Sequence, residues 1–284
     1  MNGQELAYAK INLSLDVLGK REDGFHELRM VMETVDLADT LRFDHTGQGL
    51  RVASQVRFLP TDRSNLALAA ALAFEKATGR PVEPLTIQMD KRIPICAGTA
   101  GGSSDAAATL RYLNRTTGAG LSLEELQRIG AAVGSDVPYC VMGGTVLAEG
   151  RGERLTALPP LPKCPVVLCK PDFSISTATL FGELDRCKLR RHPDTKGLLA
   201  ALEARDLQGV ARRLYNVFED VLQPRRKRTV EEIKNTLVGE GALGAAMTGT
   251  GPTVFGLFGD EQAAQSAYER LSQDYAHTYL CHTV

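Results

Sequence analysis

The sequence predicts an α+β protein of two domains, and three observations carry that expectation. Strand-like and helix-like patterns alternate irregularly along the 284 residues, without the regular rhythm of a doubly wound sheet. A glycine-rich loop, Pro94-Ile95-Cys96-Ala97-Gly98-Thr99-Ala100-Gly101-Gly102, runs straight into the Ala-rich helical stretch that starts Ser103-Ser104-Asp105. Pro159-Pro160-Leu161-Pro162 is the most linker-like composition in the chain and divides residues 1–160 from residues 161–284.

Taken in order, Leu6 to Leu18 spaces its β-formers (Tyr8, Ile11, Leu13, Leu15, Val17) in partial alternation, as a first strand does. Gly19 to Gly24 is a polar turn, and Phe25-His26-Glu27-Leu28 leads into a second strand through Val31 and Val35. A third strand is expected from Leu50 to Phe58. Asp62 or Ser64 can cap a helix from Asn65 to Thr78 that Gly79 stops. Leu85 to Met89 is a short strand. The helix after the glycine loop opens at Ser103 and should be largely buried, because Ala106, Ala107, Leu110 and Leu113 crowd one stripe.

Ser122-Leu123-Glu124-Glu125 is a capping-box signature for a helix ending at Gly134. Asp136 can start a further short helix, and Gly144 to Glu149 is strand-like. Past the prolines, Pro165 to Cys169 reads as a strand and Ser176-Thr177 opens a helix through Phe181 and Leu184. Helical patterns follow at Gly197 to Leu222 and Arg228 to Leu237, then strands at Leu243 to Met247, Thr253 to Phe258 and Thr278 to Thr283, with a helix at Glu261 to Gln273.

Composition excludes several function classes. The formal charge is −1, from 33 basic and 34 acidic side chains, so no global field draws the chain to nucleic acid or an anionic membrane. The basic run Arg225-Arg226-Lys227-Arg228 reads as a solvated helix end. Glu5, Lys10 and Asp16 interrupt the apolar N-terminal stretch, which is therefore read as neither signal peptide nor membrane span. Six scattered cysteines without C-x-x-C spacing, beside five histidines, suggest no metal cluster and a reduced, cytoplasmic setting.

The glycine loop carries the chemistry. Gly98, Gly101 and Gly102 allow close approach of the backbone, and a helix start offers unpaired N–H groups and a favourable dipole to a phosphate. An ordinary capped loop is the competing reading. The loop has no Gly-x-x-x-x-Gly-Lys-Ser/Thr pattern, so a lysine for phosphoryl transfer must come from elsewhere.

Ala9-Lys10-Ile11-Asn12-Leu13 with Gly19 through Leu28 resembles the first signature of the 4-diphosphocytidyl-2-C-methyl-D-erythritol kinase family, a branch of the GHMP kinases. The glycine loop resembles the superfamily's second motif, and Met247-Thr248-Gly249-Thr250-Gly251-Pro252-Thr253-Val254-Phe255 its third. Together with Gly134-Ser135-Asp136-Val137-Pro138, these motifs span nearly the whole chain in the family's order. The resemblance implies a ribosomal protein S5 domain 2-like N-terminal domain that binds ATP and a ferredoxin-like C-terminal domain. It also implies transfer of the γ-phosphoryl group of ATP to the substrate's 2-hydroxyl, a step of the non-mevalonate isoprenoid route. Other small-molecule GHMP kinases, of mevalonate or homoserine type, and a catalytically silent nucleotide sensor are the alternatives.

By resemblance, Asp136 is the base for the hydroxyl proton and Lys10 its charge partner; a helix N-cap and a strand lysine are the plainer readings. Pro94, Ile95, Cys96, Ala97, Gly98, Thr99, Ala100, Gly101, Gly102, Ser103, Ser104 and Gly249 match the ATP site, and Asn65 either lines the adenine pocket or caps its helix. Phe25 and Phe181 match aromatics that sandwich the cytosine, His26 the residue that bonds the base edge, and Asn12 and Thr177 polar contacts to the erythritol and phosphate parts.

Magnesium is expected with the ATP oxygens, with Ser104 a possible contact and no dedicated cage. The expected partner is a small molecule carrying a cytidine diphosphate group, acted on by a monomer or weak homodimer. Two departures stand out. Cys96 and Ala100 occupy positions where the family usually has glycine, and Ala100 implies a position with no glycine-only backbone angle. Phe25 also replaces a more usual tyrosine.

Overall fold

Period-two alternation runs through most of the first forty residues. In the computed structural model, which describes residues 3–284, it becomes two long strands, β1 (Gly3–Lys20) and β2 (His26–Asp44). On β1 the apolar Ala7, Ala9, Ile11, Leu13, Leu15 and Val17 alternate with Lys10, Asn12, Ser14 and Asp16, and both rows are buried. One strand thus presents an apolar face and a polar face, both covered.

The chain divides into two interleaved compact units. The first comprises residues 3–9, 37–95 and 100–143, and the second residues 10–36, 96–99 and 144–284. In the first unit, β3 (Leu50–Ser54) pairs in parallel with β4 (Leu85–Asp90), and β4 pairs antiparallel with the end of β2, Thr40 opposite Asp90. Four helices accompany them: α1 (Leu66–Thr78), α2 (Gly101–Thr116), α3 (Leu123–Ala131) and α4 (Val137–Met142). Phe43 and Tyr112 stack at 3.8 Å in a core with Phe74, Ile87, Leu110 and Leu113.

In the second unit, the start of β2 pairs with β5 (Val146–Gly150), which pairs with β6 (Arg154–Ala157), and β1 takes the short parallel strand β8 (Tyr215–Asn216). A separate four-stranded sheet follows, made of β7 (Pro165–Lys170), β9 (Gly244–Met247), β10 (Val254–Leu257) and β11 (His277–His282). Its order is β11-β7-β10-β9, antiparallel throughout. That is the split β-α-β arrangement of a ferredoxin-like sheet. The helices of this unit are α5 (Thr177–Arg186), α6 (Thr195–Glu203), α7 (Leu207–Ala211), α8 (Pro224–Gly239) and α9 (Glu261–Ser272). The Pro159–Pro162 stretch connects the last strand of the first sheet's hairpin to the first strand of the second sheet, while the compact units part at residue 143. Composition marks where the chain crosses between sheets, whereas the compact units divide within β1 and β2 as well.

Several boundaries differ from the sequence reading, each for a local reason. The third strand stops at Ser54, where Gln55 turns its side-chain amide to Asp90 and the Lys91 carbonyl. Asn65, not Asp62 or Ser64, caps α1 by accepting from the Ala67 N–H at 3.0 Å; Asp62 instead closes a turn onto Ser64. Helix α3 keeps its capping box but ends at Ala131. The continuous helix expected from Gly197 to Leu222 is broken. Asp206 accepts from the Gly209 N–H and starts α7 anew, and the chain then passes through β8 and a 3₁₀ turn, Val217–Val221. Among the described residues no helix is long and apolar enough to cross a membrane.

Glu33 on β2 is buried with one carboxyl oxygen accepting from Thr145 Oγ1 at 2.5 Å and the other unpartnered. Burial pushes its pKa up to about 8. A raised folded pKa gives stability that is complete below the ordinary value near 4.5 and lost as pH rises through about 8. Denaturation midpoints at pH 5 and pH 9 should therefore fall further for the native chain than for Glu33→Gln, by up to about 1.4 kcal/mol per pH unit within that window. Parallel profiles would show that Glu33 ionises freely.

Candidate functional site

The glycine loop delivers the chain to α2, whose mouth belongs to the first unit. The helix begins at Gly101, two residues before the expected Ser103, and no side chain caps it. The polar residues that suggested a later start are engaged elsewhere. Ser104 Oγ donates to the Tyr8 carbonyl at 2.6 Å, and Asp105 pairs with Lys91. The first intrahelical bond runs from the Ser104 N–H to the Ala100 carbonyl, which leaves the Gly101, Gly102 and Ser103 amides without partners inside the helix.

Ala100 itself has φ of 59° and Cys96 has φ of 53°. The expectation that Ala100 needs no glycine-type angle is overturned: both residues hold left-handed backbone despite carrying a Cβ. Such a residue costs roughly 1–2 kcal/mol against a right-handed one, and the surroundings must hold it in place. Cys96 is exposed. Pro94 and Ile95 carry the chain from the end of β4 toward the loop.

Asp136 immediately precedes α4 and makes no capping hydrogen bond through its carboxylate. Pro138, the second residue of that helix, has no N–H to offer, which removes one of the two donors a cap would use. The segment lies against the mouth of α2. A Cβ on Gly134 would be 3.9 Å from Ser103 Oγ and 3.4 Å from Val137. Asn65 is occupied at both ends of its carboxamide, accepting from Ala67 and donating to the Pro60 carbonyl at 2.9 Å.

Within the second unit, β1, residues 96–99 and the loop at 248–253 form one hydrogen-bonded cluster. The Lys10 N–H donates to the Thr99 carbonyl at 3.2 Å, and the Thr253 N–H to the Ala97 carbonyl at 3.3 Å. Lys10 Nζ donates to Asn12 Oδ1 at 2.6 Å, and the same oxygen accepts from the Gly249 N–H at 2.9 Å and from Thr248 Oγ1 at 3.2 Å. Lys10 and Asn12 are 3 % and 0 % exposed. Gly98 has φ of 78°, and a Cβ there would lie 2.2 Å from the Thr248 carbonyl oxygen. A Cβ on Gly249 would lie 2.8 Å from the Gly98 carbonyl oxygen and 3.2 Å from Lys10 Nζ. These glycines are what let the two loops touch.

The base-binding candidates divide into two groups. His26 stacks on Phe181 at 4.6 Å, and its Nε2 lies 2.6 Å from Asp185 Oδ1. Phe181 also meets Phe218 edge-on at 5.0 Å. Phe25, 53 % exposed, lies under the Arg151 guanidinium at 4.7 Å. Thr177 Oγ1 lies 2.9 Å from Thr250 Oγ1.

Sequence reasoning did not assign Asp185, which His26 and Lys20 bond from either side and hold below the usual carboxylate range. Its place one helical turn after Phe181 was the available signal. Nor did it assign Thr248, Thr250 or Asn216, whose Nδ2 donates to the Met247 and Gly249 carbonyls. A cavity of about 610 Å³ lies elsewhere in this unit, lined by residues including Arg191, His192, Arg213 and Tyr215, and none of the motif residues borders it. Among the described residues no three His, Cys, Asp or Glu side chains gather as a metal site.

Comparison with known proteins agrees with the motifs. Residues 65–144 match the family model "GHMP kinases N terminal domain" and residues 198–277 match "GHMP kinases C terminal". The chain is 42 % identical over 278 residues to 4-diphosphocytidyl-2-C-methyl-D-erythritol kinase of Clostridium tetani, covering 98 % of this chain and 99 % of that protein. A crystal structure of 4-(cytidine 5'-diphospho)-2C-methyl-D-erythritol kinase superposes with a TM-score of 0.83 at 31 % identity over 99 % of both chains. A homoserine kinase from Cytophaga hutchinsonii shares the fold, with a TM-score of 0.74 at 18 % identity over 100 % of this chain and 94 % of that one.

Proposed function

The chain belongs to the 4-diphosphocytidyl-2-C-methyl-D-erythritol kinase family of the GHMP kinases, and from that premise we propose that it phosphorylates the 2-hydroxyl of 4-diphosphocytidyl-2-C-methyl-D-erythritol with ATP. The family's members are phosphotransferases of isoprenoid precursor synthesis, and GHMP kinases use ATP as donor. The 42 % identity over nearly the whole chain carries this reading, because likeness below one fifth, as to the homoserine kinase, bears on the fold alone. Residues 1–160 and 161–284 are assigned to the N-terminal and C-terminal domains, with one family match falling on each side.

In the proposed reaction, the γ-phosphoryl group of ATP lies where the free amides at the mouth of α2 and the glycine loop meet its oxygens. Asp136 accepts the proton of the 2-hydroxyl as that oxygen bonds to the γ-phosphorus. The bond to the β–γ bridging oxygen breaks, and ADP leaves. Lys10, oriented by Asn12 and held beside Gly249, supplies positive charge to the transferring group. Asn12 acts by aiming Lys10, since its carboxamide oxygen is already shared among three donors. Phe25 and Phe181 offer their faces to the cytosine and His26 bonds its edge, with Asp185 holding the imidazole.

Magnesium would arrive with the phosphates. The residues present do not build it a resident site, because Ser104, the one proposed contact, is buried with its hydroxyl on the Tyr8 carbonyl. Magnesium is therefore assigned no protein ligand.

One assay separates this reading from its relatives: ADP release with the diphosphocytidyl substrate, mevalonate, homoserine and no acceptor. The expected result is turnover with the first alone. Turnover with mevalonate or homoserine would overturn the substrate assignment. Nucleotide binding without turnover on any acceptor would make the chain a sensor.

A further inference from the structure

Under the mouth of α2 the first unit holds a charged cluster that the reaction above does not use. Lys91 Nζ, at the end of β4, donates to Asp39 Oδ2 and to Asp105 Oδ2 at 2.5 Å each. All three side chains are at most 3 % exposed. Asp39 Oδ1 accepts from the backbone N–H groups of Arg92 and Ile93 at 2.5 and 2.8 Å, and these residues lead directly into Pro94. Asp105 sits in the second turn of α2. Gly101 completes the seat: a Cβ there would be 3.0 Å from Ile93 Cγ2 and 3.6 Å from Lys91 Nζ. One lysine thus ties the strand that enters the glycine loop to the helix that leaves it, 39, 91 and 105 coming from three separate elements.

The location matters because the loop between those ties contains two non-glycine residues in left-handed backbone, Cys96 and Ala100. Strain of that kind persists only where the surrounding structure fixes it. Buried charges, for their part, cost stability unless they are fully paired, and one oxygen of the cluster, Asp105 Oδ1, has no partner. A cluster kept at such cost beside a strained loop needs a reason beyond stability.

We propose that Lys91, Asp39 and Asp105 form a brace that holds both ends of the phosphate-binding loop, making Lys91 and Asp105 positioning residues for ATP. The brace clamps the loop so that Ala100 stays left-handed and the amides of Gly101 and Gly102 point outward at the nucleotide. Burial pushes the Asp105 carboxyl up against the pull of Lys91, while Lys91, itself buried, is raised by its two acidic neighbours.

The inference rests on the assignment of this loop to ATP, and its test keeps the two separable. Lys91→Met and the near-isosteric Asp105→Asn are compared by KM for each substrate, and by hydrogen exchange of residues 94–102 in the protein without nucleotide. KM for ATP should rise by about 10- to 100-fold in Lys91→Met, with KM for the diphosphocytidyl substrate within about twofold of the native value. The same amides should exchange faster while those of β9 and β10 keep their rates.

Lys91→Arg should restore part of the ATP affinity. Ala100→Gly, which removes the strain the brace opposes, should restore part of it in the Lys91→Met background. Equal rises in both KM values, unchanged exchange in 94–102, or strictly additive effects of Ala100→Gly and Lys91→Met would each overturn the brace. If Lys91→Met does not fold, Asp105→Asn carries the same measurements. A native chain that neither binds nor uses ATP would overturn the function instead, and the exchange measurement would still decide the brace.

Discussion

Asp136→Asn will bind ATP as the native enzyme does and lose about 10²–10⁴-fold in kcat, the range for removing a positioned acid–base group. The substitution keeps the size and shape of the side chain but gives it no site to hold a proton. The native carboxylate caps no helix, and Pro138 offers it no N–H. The fold around it is set instead by Val137, which packs against Gly130 where a Cβ would come within 2.8 Å, and by Arg111, which donates to the Cys140 carbonyl at 2.8 Å. Measured kcat and ATP affinity together decide the matter. A kcat within about threefold of native would remove Asp136 from proton transfer, since a true base contributes far more than that.

Gly98→Ala will be the most damaging single change in the glycine loop. Its φ of 78° penalises any residue with a Cβ by roughly 1–2 kcal/mol. Here the added methyl would also stand 2.2 Å from the Thr248 carbonyl oxygen and 3.0 Å from the Gly251 nitrogen. Both are backbone atoms that cannot rotate away, so overpacking adds about 1–3 kcal/mol. The two loops must part, and Lys10, seated against Gly249, loses its setting.

Expected are a lower melting temperature and a fall of about 100-fold or more in kcat/KM for ATP. Gly118→Ala supplies the control. Gly118 has φ of 63° with nothing within 4 Å of the added methyl, so it measures the backbone cost alone. Equal losses in the two variants would show that the loops do not need their close approach.

Local signals in the sequence were largely faithful. Alternation placed β1 and β2, Ser122 formed its capping box, and Ser176 opened α5 by accepting from Thr179. The breaks came where one local signal outranked another. Between Gly197 and Leu222 the helical periodicity continues across Asp206, but Asp206 prefers to cap, and its bond to Gly209 resets the chain. At Ala100 the side chain misled, because a small L-residue gives no sign that tertiary contacts have forced it left-handed.

The site divides in the same way. Lys10, Asn12, Gly98 and Gly249 stand in motifs, and the hydrogen bonds of Asn12 to Lys10 and Gly249 join positions the sequence already singled out. Asp185 and the Lys91 cluster do not. Their partners lie 159 and 52 residues away in the chain, and each is an unremarkable charged residue until the fold pairs it. Pairing over such distances leaves no trace in periodicity or capping.

The most direct test of the account is a structure of the enzyme with a non-hydrolysable ATP analogue and 4-diphosphocytidyl-2-C-methyl-D-erythritol bound together. The account predicts the γ-phosphoryl oxygens on the amides of Gly101 and Gly102, the 2-hydroxyl about 2.6–3.2 Å from the Asp136 carboxylate, and Lys10 Nζ on the transferring group. A complex with the hydroxyl out of reach of Asp136, or with the triphosphate away from the mouth of α2, would contradict it.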